Sequence, residues 1–453
     1  MVQEILETIG QIILRTWWLW AFLILRPLAA STWLFWRQEK FKDEIKWVLL
    51  EMRIPREVRK SPRAMEQVLA ALHQLRNAPY DIREKWWDGE VTRWFSLELV
   101  SFGGELHFYV RVYHKQRNLL EAAFFSYYPD VELVEIDDYV NRIPANIQEL
   151  YSQGYNVWGT EMVLRREDAY PIKTYEEFVE SSEEEKQYDP IAAFLEVLGK
   201  VKKEEMVGIQ LLIAPGDVVK WRKDWEHLVE ELRQSKGHSQ AKSKVYTKSE
   251  FPGFILPAFS VVKTDTKDEP GFFKSFMRTP GETDVLKAIE ENISKPAFDT
   301  LVRFIYLSPQ TIFYDSYARR GLTGAFNQYA ALDMNSFVPN YPTSTRTRFW
   351  QWPHIFHKVR NEYRKQRLLH NYRYRKNPVE TWMGKLMTSH LFSWNFFSRR
   401  FSMNTECLAT LYHPPIFLVL TAPHFKRLES RKAGPPAGLA IYGEETEIEK
   451  FQQ

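Results

Sequence analysis

From Thr16 to Trp36 the chain reads Thr-Trp-Trp-Leu-Trp-Ala-Phe-Leu-Ile-Leu-Arg-Pro-Leu-Ala-Ala-Ser-Thr-Trp-Leu-Phe-Trp, a run long enough to cross a hydrocarbon core as a helix. Such a run divides the chain. The part that includes it answers to lipid, and the part that follows must bury a core of its own. Trp17, Trp18, Trp20 and Phe22 lie toward one end of the run and Trp33 and Trp36 at the other, as in interfacial aromatic belts. Arg26 stands at the centre, where insertion costs about 2.5–3.5 kcal/mol, and the Leu, Ile and Phe residues return about 0.3–0.6 kcal/mol each. The two terms nearly cancel.

The run therefore reads as a tilted span with Arg26 snorkelling or paired, or as a re-entrant or interfacial anchor broken at Pro27. A secretory signal fits poorly, since aromatic bulk stands where a small-residue cleavage site would be. Arg37, Lys40, Lys42, Lys46, Arg53, Arg56, Arg59 and Lys60 follow the run and only Arg15 closely precedes it. That asymmetry predicts a single anchor in the cytoplasmic (inner) membrane, with residues 1–40 as the anchor and the bulk of the chain cytoplasmic.

The chain has 453 residues, of which 44% are hydrophobic and 26% charged, proportions of a globular protein. A formal charge of +3 is too mild to imply nucleic acid, so any basic site must be local. The single cysteine, Cys407, excludes an intramolecular disulfide framework.

Downstream of the anchor, Trp47–Ile54 reads as a strand, Ser61-Pro62 as a helix start, and Met65, Val68, Leu69 and Leu72 recur at helical spacing. Strands at Trp94–Ser101 and Glu105–Val112 meet at Gly103-Gly104, a hairpin signature. A helix over His114–Tyr128 and a strand over Val131–Ile136 complete β-α-β-β-α-β, the split βαβ or ferredoxin-like order. A second copy follows as strand Tyr155–Arg165, helix Asp189–Val201, strands Met206–Ala214 and Phe298–Ser308, and helix Pro309–Ala331. An insertion splits its middle strands, with helices near Trp221–Gln234 and Glu282–Ile293 around a polar linker at Ser235–Glu250. The expected fold class is α+β: a membrane helix, two ferredoxin-like (βαββαβ) units and a helical basic C-terminal region. The expected divisions are 41–145, 146–345 with the insertion at about 215–296, 346–402, and a joint and Pro/Gly-rich tail at 403–453. The acidic run Glu176–Glu185 reads as a solvated loop.

Between His354 and Lys376, the cations Lys358, Arg360, Arg364, Lys365, Arg367, Arg373, Arg375 and Lys376 alternate with Phe356, Tyr363, Tyr372 and Tyr374. Cations interleaved with aromatics suit a nucleic-acid backbone or an anionic lipid surface, and a plain solvated helix accounts for them equally. His354, His357 and His370 lack further ligands for zinc, so no metal is expected. Cys407 and His413 come with no orienting acid, and no catalytic residue is expected. A P-loop would need Gly, four residues, then Gly-Lys-Ser/Thr. Gly384-Lys385 is followed by Leu386, and Val379 stands where the first glycine would be. No cofactor site is expected.

The stretches Trp47-Val-Leu-Leu-Glu-Met-Arg-Ile-Pro-Arg, Phe95-Ser-Leu-Glu-Leu-Val-Ser-Phe-Gly-Gly-Glu-Leu-His-Phe-Tyr-Val-Arg and Tyr127-Tyr-Pro-Asp-Val-Glu-Leu-Val-Glu-Ile-Asp-Asp-Tyr carry a family resemblance. It continues through Trp158-Gly-Thr-Glu, Ala169-Tyr-Pro-Ile-Lys-Thr-Tyr and Asn404-Thr-Glu-Cys-Leu-Ala-Thr-Leu-Tyr-His. Together they resemble the membrane-proximal domain of conjugation and type IV secretion ATPases of the TraC/TraG and HerA-like kind from uncultured bacteria. In that family a HerA/FtsK-like motor commonly follows, joined by a short helix that here corresponds to Asn404, Thr405, Glu406, Leu408, Leu411, Tyr412 and His413. The resemblance implies a split arrangement in which the motor is a separate chain.

The expectation for function is a membrane-anchored, non-catalytic platform of a type IV secretion or conjugation-like system, oligomeric with a separate P-loop ATPase. The alternative is a membrane-bound nucleic-acid-binding module that uses residues 354–376 to hold DNA.

Overall fold

The computed structural model describes residues 15–55, 60–178, 188–234, 280–346, 355–390 and 396–416. The apolar run lies in α1 (Trp17–Glu44), a helix of 28 residues that passes through Pro27 without ending. The break at that proline, which the interfacial alternative requires, is not present. β1 (Trp47–Arg53) follows, then α2 (Pro62–His73), with Ser61 extended at the cap and Pro62 at the first helical position. A proline there forgoes only an amide that the helix leaves unpaired anyway.

β2 (Phe95–Phe102) and β3 (Glu105–Tyr113) form the expected hairpin. Gly103 and Gly104 have φ of +59° and +90°, the conformation that lets a two-residue turn match strand twist. A Cβ on Gly103 would also come within 2.6 Å of the Lys203 carbonyl oxygen. α3 (Arg117–Tyr127) and β4 (Glu132–Ile136) close the first run. The second run comprises α4 (Ile147–Ser152), β5 (Tyr155–Leu164), α5 (Ala192–Gly199) and β6 (Met206–Pro215), the inserted helices α6 (Val218–Gln234) and α7 (Pro280–Ser294), then β7 (Ala297–Pro309), α8 (Asp315–Asn327) and β8 (Phe337–Pro339). The expected helix over Pro309–Ala331 is shorter, because β7 extends to Pro309 and a turn precedes Asp315. The linker Ser235–Glu250 and most of the acidic run lie outside the described residues. α9 (His357–Arg373), α10 (Trp382–Met387), β9 (Phe401–Asn404) and α11 (Thr405–Leu411) complete the described elements.

Among the described residues all strand pairs are antiparallel and belong to one nine-stranded sheet, ordered β4-β1-β3-β2-β6-β7-β5-β8, with β9 paired to β7. Numbered within its own run, each half reads fourth, first, third, second from its outer edge inward. The second strands, β2 and β6, meet at the centre in register from Phe95↔Ile213 to Phe102↔Met206. The two units expected from the sequence are thus halves of a single sheet. Its order reads the same from either edge.

Alternation along the strands gives the sheet two different faces. On one face Leu50, Leu97, Leu99, Phe108, Val110, Ile209, Leu211, Val302 and Phe304 pack under α2, α3, α5, α8 and α11 in a large apolar core. The other face is mixed. Leu49, Val100, Tyr109, Val157, Ile305 and Leu307 meet Leu369 and Tyr372 of α9, and Glu98, Glu161, Gln210 and Arg303 are buried among them.

Candidate functional site

Three regions carry the residues singled out in the sequence. The first is α1, which is long and apolar enough to cross a membrane by length and composition. Trp17, Trp18 and Phe22 are 65%, 60% and 58% exposed, a large apolar surface for a soluble helix. Trp20 and Arg26 also fall in the helix, and Arg26 is exposed. The C-terminal half of α1 is fastened to the body. Trp33 donates Nε1–H to the Trp86 carbonyl at 2.7 Å and stacks obliquely on Trp36 and Trp87. Ser31 Oγ accepts the Met383 amide at 3.0 Å, and a Cβ on Gly384 would lie 2.5 Å from Phe35. Lys376 lies 3.8 Å from Glu39.

The second region is the basic stretch, most of whose cations the fold buries wholly or in part. Arg360, Arg364 and Arg375 are buried, and Lys365, Arg367 and Arg373 are partly buried. Arg360, Arg364, Leu368 and Tyr372 are spaced by four, so the arginines occupy the face of α9 that meets the sheet. Arg364 donates to the Ser344 carbonyl at 3.2 Å, and burial, with Arg360 nearby, pulls it down to about 9. Lys365 reaches Tyr151 Oη at 2.8 Å and Asn156 Oδ1 at 3.0 Å. Arg367 lies over Phe396, and Arg373 donates to the Ile143 carbonyl. Lys358 and Lys376 alone among these cations remain exposed. His354 is outside the described residues, which hold no group of three His, Cys, Asp or Glu side chains placed for a metal ion.

Beneath the end of α9 the buried charges form two linked clusters. Arg375, held at φ +48°, donates to Glu98 at 2.5 and 3.1 Å and to Asp138 at 2.6 and 2.9 Å. Burial opposes its charge, but Glu98 and Asp138 outweigh that and hold Arg375 well above the usual guanidinium value. Tyr139 donates to Glu98 at 2.6 Å and exchanges a 2.8 Å hydrogen bond with Tyr372. In the second cluster Arg303 donates to Glu161 at 2.9 and 3.1 Å, to the Asn371 carbonyl at 2.9 Å and to the Lys376 carbonyl at 3.1 Å. Gln210, beside Glu98 in the central strand pair, donates to the Tyr372 carbonyl at 3.1 Å. The tyrosine ring passes over Gly208, where a Cβ would come 1.9 Å from its hydroxyl oxygen. One helix end thus ties together both halves of the sheet. Every carboxylate in these clusters is matched by a guanidinium or hydroxyl donor, which suits a structural clasp better than a reactive site.

The third region is the joint, where Asn404, Thr405, Glu406, Leu408, Leu411, Tyr412 and His413 are all buried. Asn404 caps α11 by accepting the Cys407 amide at 2.7 Å. Glu406 pairs with Lys295 at 2.7 Å, Tyr412 donates to the Tyr109 carbonyl at 3.0 Å, and His413 lies 2.8 Å from Asp189. Burial, and then Glu406, push the Cys407 thiol up to about 12, the reverse of an activated nucleophile. The candidate docking joint is part of the core. A cleft of about 360 Å³ between α8 and the sheet is lined by Trp158, Arg319, Arg320, Thr323 and Asn327 among others, with no carboxylate or histidine to act as acid or base.

Asp168 secures the last strand by accepting the Ser402 amide at 2.7 Å. Burial pushes its carboxyl from 3.8 up to about 6, against that hydrogen bond and the charge of Arg399. The unfolded chain therefore ionises first. Stability falls as pH rises from about 4 to about 6 and stays reduced above that, by on the order of 3 kcal/mol. Asp168→Asn is expected to melt above the parent at pH 8 and alongside it at pH 4. An equal difference at both pH values would exclude the carboxyl as the source.

Fold and site together define a class: a mixed α+β body built on one nine-stranded antiparallel sheet, with an apolar N-terminal helix rooted in it. The chain belongs to the family described as Domain of unknown function (DUF8128), whose family model matches residues 36–416. No curated protein matches the chain.

Proposed function

We propose that this protein is a membrane-anchored, non-catalytic platform that holds a separate P-loop ATPase at the cytoplasmic face of a bacterial inner membrane, within a secretion or conjugation-like translocation system. The observation that carries this reading is α1, an exposed apolar helix whose far half is fixed to the body through the turn at Trp86 and the helix at Met383. A helix held this way transmits the orientation of the bilayer to the body, as a platform requires. The excess of Lys and Arg after the apolar run supports the orientation, and the strand order supports reading each half as a ferredoxin-like unit. The sequence resemblance supports the motor. With α11 in the core, recruitment falls to surfaces other than Asn404–His413. The nucleic-acid alternative loses ground, because most of the cations it would use are occupied within the fold.

The test is affinity capture of the full-length protein and of a chain ending at Ile416 from detergent-solubilised native membranes. A P-loop ATPase recovered with the full-length protein is expected. Its loss on truncation would place recruitment in residues 417–453. Recovery of nucleic acid without any ATPase, from either chain, would replace the platform with the alternative.

A further inference from the structure

Two segments far apart in sequence reach α1 at the same level. A π-helical turn, Glu84–Asp88, meets it at Trp33, and α10 meets it at Ser31 and Phe35. Both expose apolar side chains next to that contact. Tyr80, Ile82 and Trp87 are 95%, 82% and 64% exposed, and Trp382, Leu386 and Met387 are 62%, 55% and 55% exposed. Isolated exposed apolar residues need no explanation, but several of them in two segments that meet an apolar helix at one level do. Tryptophan and tyrosine favour the boundary between hydrocarbon and water. Arg83, Lys85 and Lys385 stand in or beside the same two segments, where an anionic headgroup layer would meet them.

We propose that these two segments, with Trp33 and Trp36, form a collar that beds the body in the headgroup region of the bilayer. This rests on α1 being a membrane anchor and adds the depth at which the anchor stops. The bilayer-embedded part of α1 then ends near Ser31, because the body contacts the helix from there on. Trp17 to Ala30 rises about 20 Å at 1.5 Å per residue, less than the roughly 30 Å of a hydrocarbon core. The collar fixes the body side of the anchor at the interface, and α1 alone extends inward from it.

Cys407 is buried and its thiol is pushed up to about 12, so single surface cysteines can be labelled in the full-length protein. An environment-sensitive nitrobenzoxadiazole probe is placed at Leu25→Cys in the anchor, at Ile82→Cys and Leu386→Cys in the collar, and at Leu332→Cys as an exposed control. The variants are reconstituted into vesicles of phosphatidylcholine and phosphatidylglycerol carrying spin labels at shallow or deep acyl positions. The expected result is loss of fluorescence at residues 82 and 386 with the shallow quencher, stronger loss at residue 25 with the deep one, and none at residue 332. Quenching at residue 25 while residues 82 and 386 behave like residue 332 overturns the collar and leaves the anchor standing. No quenching at residue 25 overturns the anchor, and the collar with it.

Discussion

Arg375→Met is expected to lower the free energy of unfolding by about 3–5 kcal/mol. The loss comes less from the broken attraction than from what remains. Glu98 is completely buried and Asp138 partly so, and removing the guanidinium strands their charges in a low-dielectric interior. Glu98→Leu alone should also destabilise, by leaving Arg375 with Asp138 as its only carboxylate. The double variant Glu98→Leu/Arg375→Met should recover part of the loss, since a well-packed apolar pair of similar volume is often as stable as a buried ion pair. Urea denaturation of the four proteins measures the cycle. If the single variants sum to the double, the two side chains do not act as a pair.

Tyr412→Ala is expected to cost a further order of about 3–5 kcal/mol as a cavity in the core. Tyr412→Phe should cost only about 1 kcal/mol, the net value of its hydrogen bond to the Tyr109 carbonyl. Tyr412 is fully buried and packs against Phe108. Were the joint instead an exposed docking element, Tyr412→Ala would leave unfolding unchanged and weaken only the association with an ATPase. Thermal melts of the isolated protein, with no partner present, separate these outcomes.

The order of strands and helices was legible in the sequence because each half obeys local rules. Gly103-Gly104 specified a turn that only positive φ can close, and Ser61-Pro62 specified a helix start. That the halves share one sheet was not legible. Nothing in the composition of β2 or β6 states that Leu99 will face Ile209 and not water, since strand pairing is decided by partners distant in sequence. The burial of the basic helix was not legible, for a physical reason. Arg360 and Arg364 occupy positions where an apolar residue would have announced a buried face, and the Tyr341 and Ser344 carbonyls of the preceding loop accept hydrogen bonds from Arg364. Trp86-Trp87 is a paired aromatic in the sequence, but only the fold brings it to Trp33.

The position of α11 has a consequence for how the molecule is made. Its residues pack on α2 and on the first half of the sheet, so the earliest-synthesised strands are finished by the last described helix. Until Tyr412 leaves the ribosome, Phe108 and its neighbours lack their cover, while the apolar run of α1 has long since emerged. Contacts of such sequence separation form slowly, and exposed apolar surface invites aggregation in the interval. Insertion of α1 into the bilayer would tether the nascent chain before its body can close. A chain cut short of Leu411 would be an unfinished sheet.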